Sequence, residues 1–140
     1  MNLKEVHRIY FVGIGGIGMS ALARYFHKNN VCISGYDKAE SSITKALQNM
    51  GISISFDAAV EYIPEAFLNK ENTIVIYTPA ISQENMQLNY FIEHGFKIFK
   101  RAEILGEITK NTFCFAVAGT HGKTTTSTIL GHILKETGVN

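Results

Sequence analysis

Short apolar runs alternate along this chain with longer stretches of helical periodicity. Arg8–Gly13 (RIYFVG) is apolar without a polar face and closes on glycine, which predicts a strand covered on both sides. Ile17–Asn29, rich in Ala and Leu and free of Pro, predicts a helix. Val31–Tyr36 (VCISGY) predicts a second strand. After a cap at Ser41 or Ser42, Ile43, Ala46, Leu47 and Met50 recur at helical spacing, and Gly51 ends the helix. Ile52, Ile54 and Phe56 alternate with serines, the pattern of a half-buried third strand.

The second half repeats the alternation. A weak helix over Ala58–Ile63 stops at Pro64. Thr73–Thr78 (TIVIYT) is a fourth strand closed by Pro79. A helix over Glu84–Glu93 turns Leu88, Phe91 and Ile92 inward, with Gly95 after it. Phe96–Phe99 is a short fifth strand, and Arg101–Thr109 a helix with Ile104, Leu105 and Ile108 on one side. Phe113–Ala118 is a sixth strand, and Lys123–Thr137 a last helix with Ile129, Leu130, Ile133 and Leu134 inside. Repeated strand–helix units imply parallel strands with right-handed crossovers. The expected fold is therefore α/β: a Rossmann-like, doubly wound, mainly parallel sheet with ligands at the carboxyl ends of its strands. A polar gap, Lys110-Asn111-Thr112, marks the one boundary and separates residues 1–110 from 111–140, where a second α/β unit begins.

Two glycine loops carry the candidate chemistry. Gly13-Ile14-Gly15-Gly16-Ile17-Gly18 matches G-x-G-x-x-G between a strand and a helix. Gly13 permits the turn, Gly15 lets the backbone approach a diphosphate without a Cβ in the way, and Gly18 allows helix and strand to pack closely. The helix N-terminus offers free N–H groups and its positive dipole end. Asp37, at the end of the second strand, can accept hydrogen bonds from a ribose. NAD, FAD and UDP all carry a diphosphate, so the loop does not choose among them. The second loop, Gly119-Thr120-His121-Gly122-Lys123-Thr124-Thr125, is a short G-x-x-G-K-T P-loop, with Val117 where the full pattern has its first glycine. Lys123 would bridge phosphate oxygens of ATP and Thr124 would ligate Mg²⁺, while His121 reads as a spacer.

Composition narrows the partners. The chain has 140 residues, 46% hydrophobic and 18% charged, with a formal net charge of +1, so nothing draws it to nucleic acid. Lys4, His7 and Arg8 before an apolar stretch ending Ala21-Leu22-Ala23 mimic a signal peptide, but four glycines make a poor apolar helix there. No apolar run approaches the ~20 residues of a membrane span, so no membrane and a cytoplasmic location are expected. Cys32 and Cys114 sit in apolar runs and read as buried free thiols of a reducing compartment. No Cys/His cluster has metal-site spacing. Arg101 and Glu103 read as charges of a capped surface helix without a role in a site.

A nicotinamide-dependent oxidoreductase uses the first loop alone, an ATPase the second, and a nucleotide-sensing module neither for chemistry. A protein with both should join a nucleotide-linked substrate to something at the expense of ATP. The segments GIGGIGMSALA, SGYD (34–37), TPAIS (78–82), RAEILGE (101–107) and AGTHGKTTT (118–126), in this order, resemble the Mur ligases. Within them the match is to the branch adding L-alanine to UDP-N-acetylmuramate. The branch attaching a recycled peptide shares AGTHGKTTT but as a rule departs from the first-loop pattern that Gly13–Met19 keeps.

The resemblance implies that the chain covers the UDP-substrate domain (1–110) and the first strand, P-loop and helix of a central ATP-binding domain (111–140) of a three-domain ligase in peptidoglycan precursor synthesis. ATP would phosphorylate the substrate carboxylate, and the alanine amine would displace phosphate from the acyl phosphate. Gly15, Gly16, Ile17 and Gly18 would hold the UDP diphosphate. Asp37 and the Thr78–Ile81 loop, with Thr78, Ala80 and Ile81, would line the uridine side. Gly119, Thr120, His121, Gly122, Lys123, Thr124 and Thr125 would hold ATP, with Lys123 as the catalytic cation on the transferring phosphate and Thr124 on Mg²⁺. The amino-acid site would lie outside these residues, and the fragment alone would be inactive. Its apolar strand Phe113–Ala118 and the last helix would then dock on the first domain or on a second copy of the chain, or stay partly disordered.

Overall fold

The structure, a computed structural model, describes residues 6–110 and 112–138. Packing divides the chain after Lys110 into two compact units. Among the described residues the first holds five strands: β1 (Arg8–Val12), β2 (Cys32–Tyr36), β3 (Ser53–Ser55), β4 (Thr73–Tyr77) and β5 (Lys97–Lys100). They form one sheet in the order β3-β2-β1-β4-β5, every pair parallel. The doubly wound parallel α/β fold expected from the sequence is thus present. β1 is central, Ile9 lying between Ile33 and Ile74, and Phe11 between Gly35 and Ile76. The chain winds outward through β2 and β3, then restarts on the other side of β1 with β4. The order therefore reverses between β1 and β4, where the crevice of such a sheet opens.

The pleat sends Ile9 and Phe11 to one face and Tyr10 and Val12 to the other. On the first face pack α1 (Ile17–Lys28), α2 (Ser42–Asn49) and α4 (Arg101–Lys110), through Leu22 and Phe26, Leu47, and Ile104. On the second lie α3 (Met86–Glu93) and two 3₁₀ turns, Val60–Tyr62 and Glu65–Phe67. Each fully buried large apolar side chain contributes about 1.5–3 kcal/mol, so this double-sided burial carries the unit. Ser41 caps α2 in a reciprocal box: Thr44 N donates to Ser41 Oγ at 3.1 Å, and Ser41 N to Thr44 Oγ1 at 2.8 Å. Asn85 Oδ1 caps α3 by accepting from Leu88 N at 2.9 Å.

Several local expectations are corrected. Ala58–Ile63 is not a helix but runs into the 3₁₀ turns. Pro64 holds Ile63 extended, at ψ 121°, and the buried Gln87 amide takes the carbonyls of Asp57 (3.1 Å) and Ala59 (2.9 Å) that a helix would have used. Ile92 is 57% exposed because the two-turn α3 buries Gln87, Leu88 and Phe91 instead. Leu105 is exposed, since α4 meets the core through Ile104 and Ile108. Both cysteines are exposed: Cys32 opens β2 at the amino edge of the sheet, and Cys114 lies in an extended segment.

Among its described residues the second unit contains one helix, α5 (Lys123–Glu136). Phe113–Ala118 is not a strand there; the segment joins no ladder, and Phe113 is 88% exposed. No residue of α5 is buried, and Ile129 and Ile133 face solvent, so the apolar face expected inside packs into no core. Among the described residues, no helix is long and apolar enough to cross a membrane.

Candidate functional site

The first glycine loop connects β1 to α1 at the point of sheet reversal. Gly13 N and Ile14 N both donate to Tyr36 O, at 2.7 and 3.0 Å, which pins the loop to the end of β2. Gly13 has φ +89°, a left-handed conformation that side chains rarely adopt, and a Cβ there would stand 3.0 Å from both Ile81 Cδ1 and Thr78 Cγ2. The loops after β1 and β4 are therefore in contact, which puts Thr78 and Ile81 beside the glycine loop. Ile81 N donates to Thr78 O at 3.1 Å, closing a turn whose Pro79 and Ala80 are exposed.

Gly15 also serves the protein's own packing. Its amide donates to Asp37 Oδ2 at 2.6 Å. A Cβ on Gly15 would lie 2.8 Å from Asp37 Oδ2 and 2.9 Å from Thr44 Cγ2. Glycine is needed here because the Asp37 and Thr44 side chains already fill the space. Asp37, whose Oδ1 also accepts from Ala39 N at 3.4 Å, ties β2 to the loop. Gly16 is the N-cap of α1, extended at φ −62°, and no side chain caps the helix or places an acid in its first turn. The amino end of α1 is thus a donor-rich, electropositive edge. Ile17, 83% exposed, stands on it. Gly18 makes room for Arg101: its Cβ would meet Arg101 Nη1 at 3.0 Å.

Beside this loop a cleft of about 590 Å³ opens past the carboxyl ends of β4 and β5, lined by Tyr77, Pro79, Ile81, Ile92, Lys100 and Glu103 among others. Ile81 belongs to both features, touching Gly13 and walling the cleft. Sequence reasoning did not place Tyr77 and Lys100 on this cleft or Arg101 beside Gly18. The first two were legible as last residues of their strands; the third depends on which helix packs over Gly18, which no local pattern records.

The second loop is formed by Gly119–Thr125 within the second unit. Gly122 is left-handed at φ +78° and caps α5, and Gly119 has φ +147°. Lys123 Nζ donates to Gly119 O at 2.6 Å and to Thr120 O at 3.3 Å, and Thr126 N donates to Gly122 O at 2.9 Å. Thr124 and Thr125 occupy the first helical turn and His121 is exposed. Among the described residues no cluster of three His, Cys, Asp or Glu side chains could hold a metal.

Residues 8–112 match the family described as "Mur ligase family, catalytic domain". The chain belongs to the Mur ligase family. It is 56% identical to the UDP-N-acetylmuramate–L-alanine ligase of Flavobacterium psychrophilum, over all of this chain and 31% of that protein. It is 48% identical to the same ligase of Cytophaga hutchinsonii, over 99% of this chain and 30% of that protein. The UDP-N-acetylmuramate-alanine ligase of Thermotoga maritima superposes with a TM-score of 0.81 at 33% identity, covering 91% of this chain and 29% of its own. A murein peptide ligase from Psychrobacter arcticus gives 0.82 at 25% identity, covering 94% of this Mur ligase chain and 27% of its own. The chain spans about a third of the length of the curated relatives it matches.

Proposed function

We propose that this chain is the nucleotide-substrate-binding part of a cytoplasmic, ATP-dependent UDP-N-acetylmuramate–L-alanine ligase of peptidoglycan precursor synthesis, together with the start of its ATP-binding domain. The observation that carries the reading is identity of 56% to an alanine-adding ligase along the entire chain. The fold alone favours neither branch of the family, since alanine and murein-peptide ligases superpose equally well.

In this reading residues 1–110 bind the nucleotide. The amides of Gly16, Ile17 and Gly18 face the diphosphate, Ile17 and Ile81 give apolar contact, and Thr78 and Ala80 border the uridine. Asp37 acts on the nucleotide by fixing Gly15 rather than by reaching for ribose. Residues 111–140 would contribute Gly119–Thr125 to ATP, which supplies the phosphoryl group that activates the substrate carboxylate. The loop fits such a ligand: two positive-φ glycines, a helix N-terminus without a side-chain cap, and a lysine held at its mouth. Lys123 would neutralise phosphate charge. Thr124 would offer Mg²⁺ one neutral oxygen, the remaining ligands coming from phosphate, water and residues elsewhere. L-Alanine would be bound outside these residues, so the 140-residue chain should show no ligase turnover.

The test is calorimetric titration of the chain with UDP and with NAD. Saturable UDP binding, with NAD at least ~10-fold weaker, is expected, a difference of about 1.4 kcal/mol. Saturation by NAD without binding of UDP would refute the assignment and restore an oxidoreductase reading.

A further inference from the structure

Arg101 opens α4, and its side chain crosses the first turn of α1. A Cβ on Gly18 would stand 3.0 Å from Nη1, 3.1 Å from Cδ and 3.3 Å from Cζ, so the guanidinium lies almost against the Gly18 backbone. That is an unfavourable place for a cation. A helix N-terminus carries roughly half a positive charge, and cations are stabilised at the opposite end. Nothing in α1 offsets this: its first turn has no acid and its cap no side chain.

Two carboxylates of adjoining segments hold backbone amides. Asp37 accepts from the Gly15 amide, and Glu103 accepts from Lys100 N at 2.6 Å. Among the described residues no carboxylate pairs with Arg101. A guanidinium and a helix N-terminus therefore meet over Gly18, and both lack an anion. A guanidinium offers two parallel N–H donors to phosphate oxygens, a geometry an ammonium cannot match. Gly18 has no side chain to separate that fork from the helical amides.

We propose that Arg101 is a specificity-determining residue that holds the diphosphate of the nucleotide substrate jointly with the amides of the first turn of α1. This rests on the nucleotide reading above. Arg101 then selects nucleoside diphosphates over nucleosides, while the uridine contacts made after β4 are independent of it.

The test is titration of the 140-residue chain and its Arg101→Met and Arg101→Lys variants with UDP, UMP and uridine, with melting temperatures as a folding control. Arg101→Met should weaken UDP by about 10–100-fold, the range for losing a charged hydrogen bond, and leave uridine within about twofold. Arg101→Lys should recover part of the UDP loss. Should the Met variant not fold, the Lys variant decides: a loss of UDP affinity without a loss for uridine supports the proposal. Unchanged UDP affinity, or equal losses for UDP and uridine, overturns it while leaving the nucleotide reading intact. A wild-type chain that binds no UDP overturns both.

Discussion

The Asp37 carboxylate accepts a 2.6 Å hydrogen bond from the Gly15 amide, and this fastens the end of β2 to the glycine loop after β1. The shape of the loop is therefore set by a protein carboxylate before any phosphate arrives. Gly15→Ala and Gly16→Ala separate that role from simple access to a ligand. At Gly15 a methyl group would collide with Asp37 and Thr44, whereas at Gly16 its nearest neighbour would be 3.6 Å away. Gly15→Ala should lower stability by about 1–3 kcal/mol and the melting temperature by several degrees, as overpacking does. Gly16→Ala should melt close to wild type. Equal melting of the two variants in differential scanning calorimetry would show that Gly15 is glycine for the ligand alone.

Gln87 joins three elements on the face opposite α1. Its Oε1 accepts from the buried Tyr10 hydroxyl at 2.8 Å, and its Nε2 donates to the carbonyls of Asp57 and Ala59. Gln87→Leu leaves the buried Tyr10 hydroxyl without its partner and takes the donor from two part-buried carbonyls. A loss of about 2–4 kcal/mol is expected, read as a lower urea midpoint at constant m-value. Adding Tyr10→Phe should restore part of that loss, because the orphaned hydroxyl goes too. A double variant no more stable than Gln87→Leu would refute the coupling.

Much of this was legible in the sequence, and the failures share a cause. RIYFV and TIVIY read as strands because both sheet faces are covered, and the glycine loop because its spacing serves one kind of turn. The contacts that crowd Gly15 and Gly18 were not legible, since their neighbours, Asp37, Thr44 and Arg101, are brought in from 22, 29 and 83 positions along the chain. Ile92 and Leu105 were placed inside from helical spacing that cannot say how far a short helix reaches over its sheet. Phe113–Ala118 has the composition of a buried strand, yet composition supplies no partner strand.

Alkaline pH should lower stability through Tyr10. Burial holds its phenol well above the usual 10.0, opposed only in part by the hydrogen bond to Gln87. The unfolded chain ionises near pH 10, so above it the unfolded state binds fewer protons than the folded one. The stabilisation is complete below that pH and is lost as pH climbs toward the folded value, with a slope of up to about 1.4 kcal/mol per pH unit. Urea midpoints taken from about pH 9 to 11 should fall more steeply in wild type than in Tyr10→Phe. Parallel curves would show that Tyr10 does not titrate differently on unfolding.

The second unit should behave as a loop and helix of low stability. Phe113–Ala118 makes no ladder, α5 buries no residue, and Lys123 Nζ rests on the carbonyls of Gly119 and Thr120. Segments with little burial and exposed backbone open at small free-energy cost. A phosphate ligand would also have to draw Lys123 off its two carbonyls. In a dilute monomer, amides of Phe113–Ala118 should exchange orders of magnitude faster than those of β1 and β4, and ATP should bind only in the millimolar range, roughly −4 kcal/mol. Protection that rises with protein concentration would identify a second copy as cover for Phe113, Phe115 and the Ile129–Ile133 face, the expected fate of an exposed apolar patch. Slow exchange at high dilution together with micromolar ATP binding would mean that the P-loop, its preceding segment and α5 are stable by themselves, and the low-stability account would be wrong.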